Sequence, residues 1–326
     1  MYDIVIIGCG PAGMTAAIYA ARSNKKVLIL EKESIGGQMA SSPLIENYPG
    51  YISISGSELA NNMFDQVNNL EVDFELEEVL QIIDGVTKTV VTDSNKYETK
   101  SVIIATGSKY RLLGLENEEN LIGKGIHFCT ACDGFFFKDK IVAIIGGGNS
   151  AIINAITMAD VAKKVYVIQN LPKLTCETIL EDGLKEKKNV EVIVNSTVKQ
   201  IIGNDNLESI IINNNGKDEY IKLDGMFISI GLIPQSDFVK NILKTNQYGY
   251  IESNNCKTDI DGIFVAGDCR DKAFRQVTIS TSDGTIAATE AINYLNNDWL
   301  KKINYLQHKT IMKGKCYYDS WLIYNQ

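Results

Sequence analysis

The chain has 326 residues, 45% apolar and 22% charged, with a formal net charge of −8 and a pI near 5.0. That length suggests about two domains, each large enough to bury its own core. The acidic balance argues against nucleic acid or an anionic membrane as the main partner. No apolar run is long enough to span a bilayer, and "MYDIVIIG" leads directly into a strand pattern with no leader-like charged region. Seven cysteines at irregular spacings do not resemble a secreted disulfide scaffold, so the chain reads as cytoplasmic.

The first predicted element is a β-branched apolar strand, Ile4 to Ile7. It runs into Gly8-x-Gly10-x-x-Gly13 and an alanine-rich helical stretch from Met14 to Arg22. A second apolar strand, Val27 to Leu30, ends on Glu31. A strand, glycine turn, helix and strand with an acid about twenty residues past the glycines form a dinucleotide-binding unit. Gly8 serves the tight turn, Gly10 admits a pyrophosphate to the backbone, and Gly13 lets helix and strand pack closely. The free N–H groups of the helix start favour phosphate, and Glu31 is an acceptor for ribose hydroxyls. Further along, "TKTVVTDSNKYETKSVIIATG" predicts two strands turning at "SNK".

The stretch "HFCTACDGFFF", residues 127 to 137, places Cys129 and Cys132 two residues apart and Asp133 next to them. A structural zinc site needs four ligands. Cys9, Cys176, Cys256, Cys269 and Cys316 are isolated in sequence and His127 is the only histidine nearby, so no metal site is expected. A C-x-x-C beside a βαβ pattern in a cytosolic chain instead reads as a thiol–disulfide pair. The Asp133 carboxyl is placed to protonate a departing thiolate, its alternative role being a helix or turn cap.

The nucleotide-binding pattern then recurs. Strand Ile141 to Ile145 precedes Gly146-x-Gly148-x-x-Ala151 and a helix, and strand Val165 to Ile168 ends on Gln169-Asn170. No acid stands there for a ribose and no cationic fork for a 2′-phosphate. A hairpin with "NNNG" as its turn follows, and Phe264-Val265-Ala266 forms a strand leading to Asp268. The expected fold is α/β with two Rossmann-like, doubly wound nucleotide-binding domains.

In order and in combination, nine segments carry a family resemblance. They are GCGPAG (8–13), GGQ (36–38), ENYPG (46–50), ATGS (105–108), CTACDG (129–134), GGGNSA (146–151), IGLIP (230–234), DGIFVAGDC (261–269) and RQVTISTSDG (275–284). With them the chain resembles, to about residue 296, the low-molecular-weight bacterial thioredoxin reductases, which are FAD-containing pyridine nucleotide-disulfide oxidoreductases. The resemblance implies FAD on Gly8, Gly10, Gly13 and Glu31, with Gly37, Gln38, Asn47, Asp268, Arg275, Gln276 and Val277 around it. It implies a discontinuous FAD domain, 1–110 and 235–326, and a second domain, 111–234, carrying the cysteines. There the Cys129–Cys132 disulfide takes two electrons from the flavin and the dithiol reduces thioredoxin. Cys132 would lie on the flavin side, Cys129 would attack thioredoxin, and Asp133 would supply the proton. Gly146, Gly148 and Ala151 would meet a nicotinamide nucleotide, and the protein would be a homodimer. Cys269 reads as a small buried residue beside the flavin site rather than a third redox thiol.

Two features depart from that family. NADPH-using members carry His-Arg-Arg-x-x-x-Arg after the second unit's second strand. Here "QNLPKLT" puts Gln169, Asn170, Leu171 and Thr175 at those positions, with Lys173 the only cation. The second departure is a long aromatic tail, 299–326, containing Trp299, Tyr305, Tyr317, Tyr318, Trp321 and Tyr324. Three readings follow. In the first, NADH, or NADPH held weakly, is bound atypically, as the retained glycines favour. In the second, ferredoxin is the donor, as the missing basic run favours. The third is a flavin redox sensor with little turnover, which would have no need of Cys-x-x-Cys-Asp.

Overall fold

Ile4, Val5 and Ile6 are fully buried and Ile7 is 4% exposed. Such a continuous apolar run suits a parallel strand covered on both faces. In the computed structural model, which describes residues 1–299 and 301, Tyr2–Ile7 indeed pairs in parallel with Val27–Glu31 and Lys96–Ile104. Asp73–Leu76 flanks Val27–Glu31, and Ile263–Val265 lies along the second half of Lys96–Ile104. The first half of that long strand pairs antiparallel with Lys88–Thr92, which pairs with Val79–Ile83. Val5, Ile7, Leu28, Leu30, Val102, Ile104, Ile263 and Val265 form one buried cluster. Helices Pro11–Arg22 and Val277–Tyr294 pack so closely that a Cβ on Gly284 would sit 2.3 Å from the Ala12 carbonyl oxygen.

The second sheet is parallel throughout, in the order Val190–Ile193, Lys164–Ile168, Ile141–Ile145, Gly225–Ile228, Ile126–His127. Helix Asn149–Ala159 follows Ile141–Ile145 across the second glycine loop. An antiparallel three-stranded sheet, Ser196–Ile202, Ser209–Asn214 and Lys217–Lys222, joins it. The "NNNG" turn is the tight link between the last two: Asn215 (φ 49°) and Gly216 (φ 87°) are both left-handed, as a two-residue hairpin requires.

Both units are Rossmann-like α/β folds. The first comprises Met1–Leu44, Ile54–Lys109 and the chain from Pro234 onward; the second comprises Ile45–Ser53 and Tyr110–Ile233. The segment carrying ENYPG thus groups with the second unit. Among the described residues no helix is long and apolar enough to cross a membrane. Of the aromatic tail, Trp299 is described: its indole N–H donates to the Val86 carbonyl at 3.2 Å, and Lys100 Nζ lies 4.7 Å from its ring centroid. Tyr305, Tyr317, Tyr318, Trp321 and Tyr324 lie outside the described residues.

Candidate active site

In the first unit the three glycines have different surroundings. A Cβ on Gly8 (φ +106°) would lie 2.4 Å from the Ala105 carbonyl oxygen, and one on Gly13 would lie 1.9 Å from the Gly8 carbonyl oxygen. Gly10, at the start of helix Pro11–Arg22, has nothing within 4 Å of where its Cβ would be. Gly8 and Gly13 therefore build the loop, while Gly10 leaves its backbone open to a ligand. Gly37 is brought to the same place, its Cβ position 3.8 Å from the Gly10 Cα.

Three backbone N–H groups hold Glu31. Cys9 donates to Oε2 at 2.7 Å, while Lys32 and Glu33 donate to Oε1 at 2.9 and 3.0 Å. A carboxylate has about four acceptor sites, so one remains for a hydroxyl. Glu31 lines a cavity of about 310 Å³ together with Ile7, Gly8, Lys32, Thr106 and Gln235. The Gln38 amide nitrogen donates to the Ser108 carbonyl and hydroxyl. Asp268 accepts from Lys272 Nζ at 2.9 Å and from the Ser280 hydroxyl at 3.4 Å. The Arg275 guanidinium lies 4.3 Å from the Tyr250 ring centroid, and its buried Nε has no hydrogen-bond partner. Gln276 precedes helix Val277–Tyr294 as its N-cap residue. Asn47 belongs to the segment grouped with the other unit.

In the second unit Cys129 and Cys132 form a disulfide with Cα atoms 5.3 Å apart. Cys129 stands at the N-cap of the short helical turn Thr130–Asp133, its Sγ accepting from the Cys132 N–H at 3.1 Å. The Asp133 side chain caps no backbone N–H. Its Oδ2 lies 3.0 Å from His127 Nδ1, and its Oδ1 is buried without a partner. The Thr130 hydroxyl donates to Asn154 Oδ1 at 2.7 Å, and the Asn154 amide donates to the Ser229 hydroxyl at 2.9 Å. The first bond ties the disulfide turn to the helix behind the second glycine loop, and the second ties that helix to Ser229.

Segment 169–177 is stitched across that loop. The Gly147 carbonyl accepts from the Thr175 N–H at 2.8 Å and its hydroxyl at 3.3 Å. Asn149 and Glu177 exchange two bonds of 2.9 Å. Gln169 is buried against Gly147, whose Cβ position is 2.6 Å from the Gln169 Cδ. Asn170, Leu171 and Lys173 are exposed. Ala151 is fully buried, as close helix–strand packing requires, and Gly146 and Gly148 keep the loop's turn.

Residues 2–284 match the family described as pyridine nucleotide-disulphide oxidoreductase. This chain belongs to that family. A thioredoxin reductase of Bacillus subtilis (strain 168) is 39% identical over 303 residues, covering 90% of this oxidoreductase and 95% of that protein. The 34.2 kDa protein in the rubredoxin operon of Clostridium pasteurianum is also 39% identical, with coverage of 90% and 97%. The crystal structure of thioredoxin reductase from Streptococcus pyogenes MGAS5005 superimposes with a TM-score of 0.87 at 42% identity, over 91% of this chain and 98% of that one.

This oxidoreductase is a flavoprotein disulfide reductase of the low-molecular-weight thioredoxin reductase type, with FAD as cofactor. The first unit fits that group: Gly10 is a cradle that a Cβ would fill, Glu31 is a fixed acceptor, and Arg275 has an orphaned buried donor. When bound, FAD supplies the two-electron reduction of a disulfide.

One buried acid escaped the sequence reading. Asp283, 3% exposed, accepts from the Gly267 N–H at 3.1 Å, Arg270 Nε at 3.0 Å and Lys272 Nζ at 3.1 Å. It anchors the turn that presents Asp268. The available signal was a charged residue in the small-residue stretch of a helix that must pack closely.

Cys9, Cys256 and Cys269 of the first unit sit in environments that disfavour the thiolate. Burial, with Glu31 adding to it, pushes Cys9 up to about 12; burial, with Asp283 adding to it, pushes Cys256 up to about 12. Burial also raises the fully buried Cys269. Thiolate is the reactive form, so these three should resist iodoacetamide at pH 8 until guanidinium unfolds the chain. Peptide mapping by mass spectrometry checks this, and native labelling of Cys269 as fast as a free thiol would contradict it.

Proposed function

We propose that this oxidoreductase reduces the disulfide of a thioredoxin through Cys129 and Cys132, with Asp133 as proton donor. The observation that carries the reading is a C-x-x-C disulfide followed directly in the chain by Asp133, a buried carboxyl whose Oδ1 is unpartnered. Once the pair is reduced, the Cys129 thiolate attacks the partner's disulfide. A sulfur–sulfur bond forms to Cys129, the partner's own breaks, and its leaving thiolate takes the Asp133 proton. Cys132 then attacks Cys129, its thiol proton passing to the departing sulfur, which restores the intramolecular disulfide and releases the partner as a dithiol.

The donor in this reading is a nicotinamide nucleotide held without 2′-phosphate recognition, NADH or weakly bound NADPH. The turn at Gly146, Gly148 and Ala151 supports a pyrophosphate site, while Gln169, Asn170, Leu171 and Thr175 offer no guanidinium fork. Two charge-assisted bonds of about 1.5–3 kcal/mol each are forgone, roughly a hundredfold or more in NADPH affinity. A second reading, with ferredoxin as donor, is favoured by one observation: the bonds from Thr175 and Glu177 that hold segment 169–177 across the glycine loop. Anaerobic stopped-flow with NADH, NADPH and reduced ferredoxin separates the two. The first reading expects reduction by a nicotinamide nucleotide with little preference for NADPH, and selective gain of NADPH use when Asn170 and Leu171 are both changed to Arg. A strong wild-type preference for micromolar NADPH contradicts it, and reduction by ferredoxin alone moves the assignment to the second reading.

A further inference from the structure

His127 has no role in the function described so far, yet it is a buried, partnered side chain beside the disulfide turn. It is 7% exposed at the end of strand Ile126–His127, two residues before Cys129. Its ring is clasped by Phe137, edge-on with centroids 5.2 Å apart, and by Phe227 at 5.7 Å. Its Nδ1 lies 3.0 Å from Asp133 Oδ2, and Asp133 itself is 8% exposed. One carboxylate oxygen is therefore fixed by the imidazole, while Oδ1 has no partner in a place without solvent. A buried, unpartnered carboxylate oxygen is costly unless it is used.

The chemistry asks for something the carboxyl alone supplies poorly. A carboxyl of ordinary acidity has lost its proton by neutral pH, whereas imidazole is the side chain that exchanges protons there. An Asp–His pair that holds one proton between its members can deliver it from the carboxyl oxygen that is not bonded to the ring. We infer that His127 is a positioning residue that acts through Asp133: Nδ1 orients the carboxyl by Oδ2 and resupplies the proton that Oδ1 delivers to the leaving thiolate. This rests on the reading of Asp133 as the proton donor.

The step balances across the pair, the thiols and water. The partner's leaving thiolate takes a proton from Asp133, and Asp133 takes one from His127 across the 3.0 Å contact. When Cys132 attacks Cys129 its thiol proton passes to the partner's second sulfur, and the imidazole regains from water the one proton that Cys129 released on becoming a thiolate, so two thiol protons leave with the reduced partner and the pair is unchanged.

The surroundings of the ring leave this pair as its own proton circuit. Strand Gly225–Ile228 meets it with the apolar Phe227. Turn Gly134–Phe137 meets it with Phe137, and Lys140 Nζ sits on that phenyl ring, 5.4 Å from its centroid. The turn Thr130–Asp133 contributes Asp133, which directly follows Cys132.

The test isolates thiol exchange from the electron donor. Holoprotein is reduced with a phosphine, desalted under anaerobic conditions and mixed with oxidised thioredoxin; acid quench and alkylation then count the thiols transferred against time, from pH 5.5 to 9. Two variants are compared with wild type: His127→Gln, which keeps an N–H donor for Asp133 but no exchangeable ring proton, and His127→Ser, which keeps neither. Both should transfer thiols about tenfold more slowly at pH 7.5, with the fall in rate at high pH displaced toward acid. Wild-type rate and pH profile in His127→Gln would overturn proton resupply, whatever His127→Ser does. Asp133→Asn is run alongside. If it is slow while His127→Gln is normal, the inference about His127 fails alone; if Asp133→Asn is itself normal, the proton-donor reading fails and takes the inference with it.

Discussion

Cys132→Ser is expected to abolish thioredoxin reduction, by on the order of a thousandfold or more, and to trap the partner as a mixed disulfide on Cys129. The loss follows from the count of sulfurs. One thiol can open a partner's disulfide, but without a second it can neither resolve the mixed species nor close its own bond. Cys129→Ser should be equally inactive and should trap nothing, because the attacking sulfur is the one removed. The two variants are thus distinguished by a non-reducing gel rather than by rate. Both should fold normally and retain FAD. The disulfide closes a very short loop, which contributes little chain entropy, and both cysteines are only part-buried. Trapping on Cys132 instead would reverse the assigned roles. Appreciable reduction by either variant would move the exchange elsewhere, Cys176 being the other described cysteine that is not fully enclosed.

Much of this arrangement is legible in the sequence because the responsible patterns are local. Ile4 to Ile7 and Ile141 to Ile145 are apolar without alternation, and strands covered on both faces need that. The glycine spacings report turns completed within six residues, and Asn215-Gly216 reports a hairpin with two left-handed positions. What stayed hidden depends on which distant groups share a buried volume. Lys88 reads as a solvated strand residue, yet it is 1% exposed, its Nζ bonded to Asp84 at 2.9 Å and the Gly85 carbonyl at 3.3 Å. Asp283 has meaning only once the turn at Gly267 folds back onto its helix. His127 was visible as a histidine near two cysteines, but metal-ligand spacing was the wrong test. Its partner is a carboxyl six residues on, brought round by a single helical turn. The missing arginines after Ile168 were plain to read. That Thr175 and Glu177 use the same stretch to bond across the glycine loop was not, since such side chains carry no periodic signal.

Gly10→Ala is expected to fold like the wild type yet bind FAD about a hundredfold more weakly, and the contrast with its neighbours makes the result informative. At Gly13 an added Cβ would lie 1.9 Å from the Gly8 carbonyl oxygen, so helix and strand would have to separate and loss of FAD would say nothing about contact. At Gly8 the left-handed φ of +106° adds strain to a clash at 2.4 Å. Gly10 has neither fault. Its φ is −81°, which alanine adopts freely, and no atom lies within 4 Å of the new methyl group. The methyl would occupy only the space through which a pyrophosphate approaches the helix N-terminus. Forfeiting one or two charge-assisted hydrogen bonds there, about 1.5–3 kcal/mol each, accounts for the expected loss. Thermal unfolding of the apoprotein should match wild type within a few degrees, while equilibrium dialysis against FAD shows the weaker binding and the purified protein is paler. Wild-type FAD affinity in this variant would mean that the pyrophosphate does not approach Gly10. A lowered apoprotein Tm would mean that the open space seen at Gly10 is not available in solution.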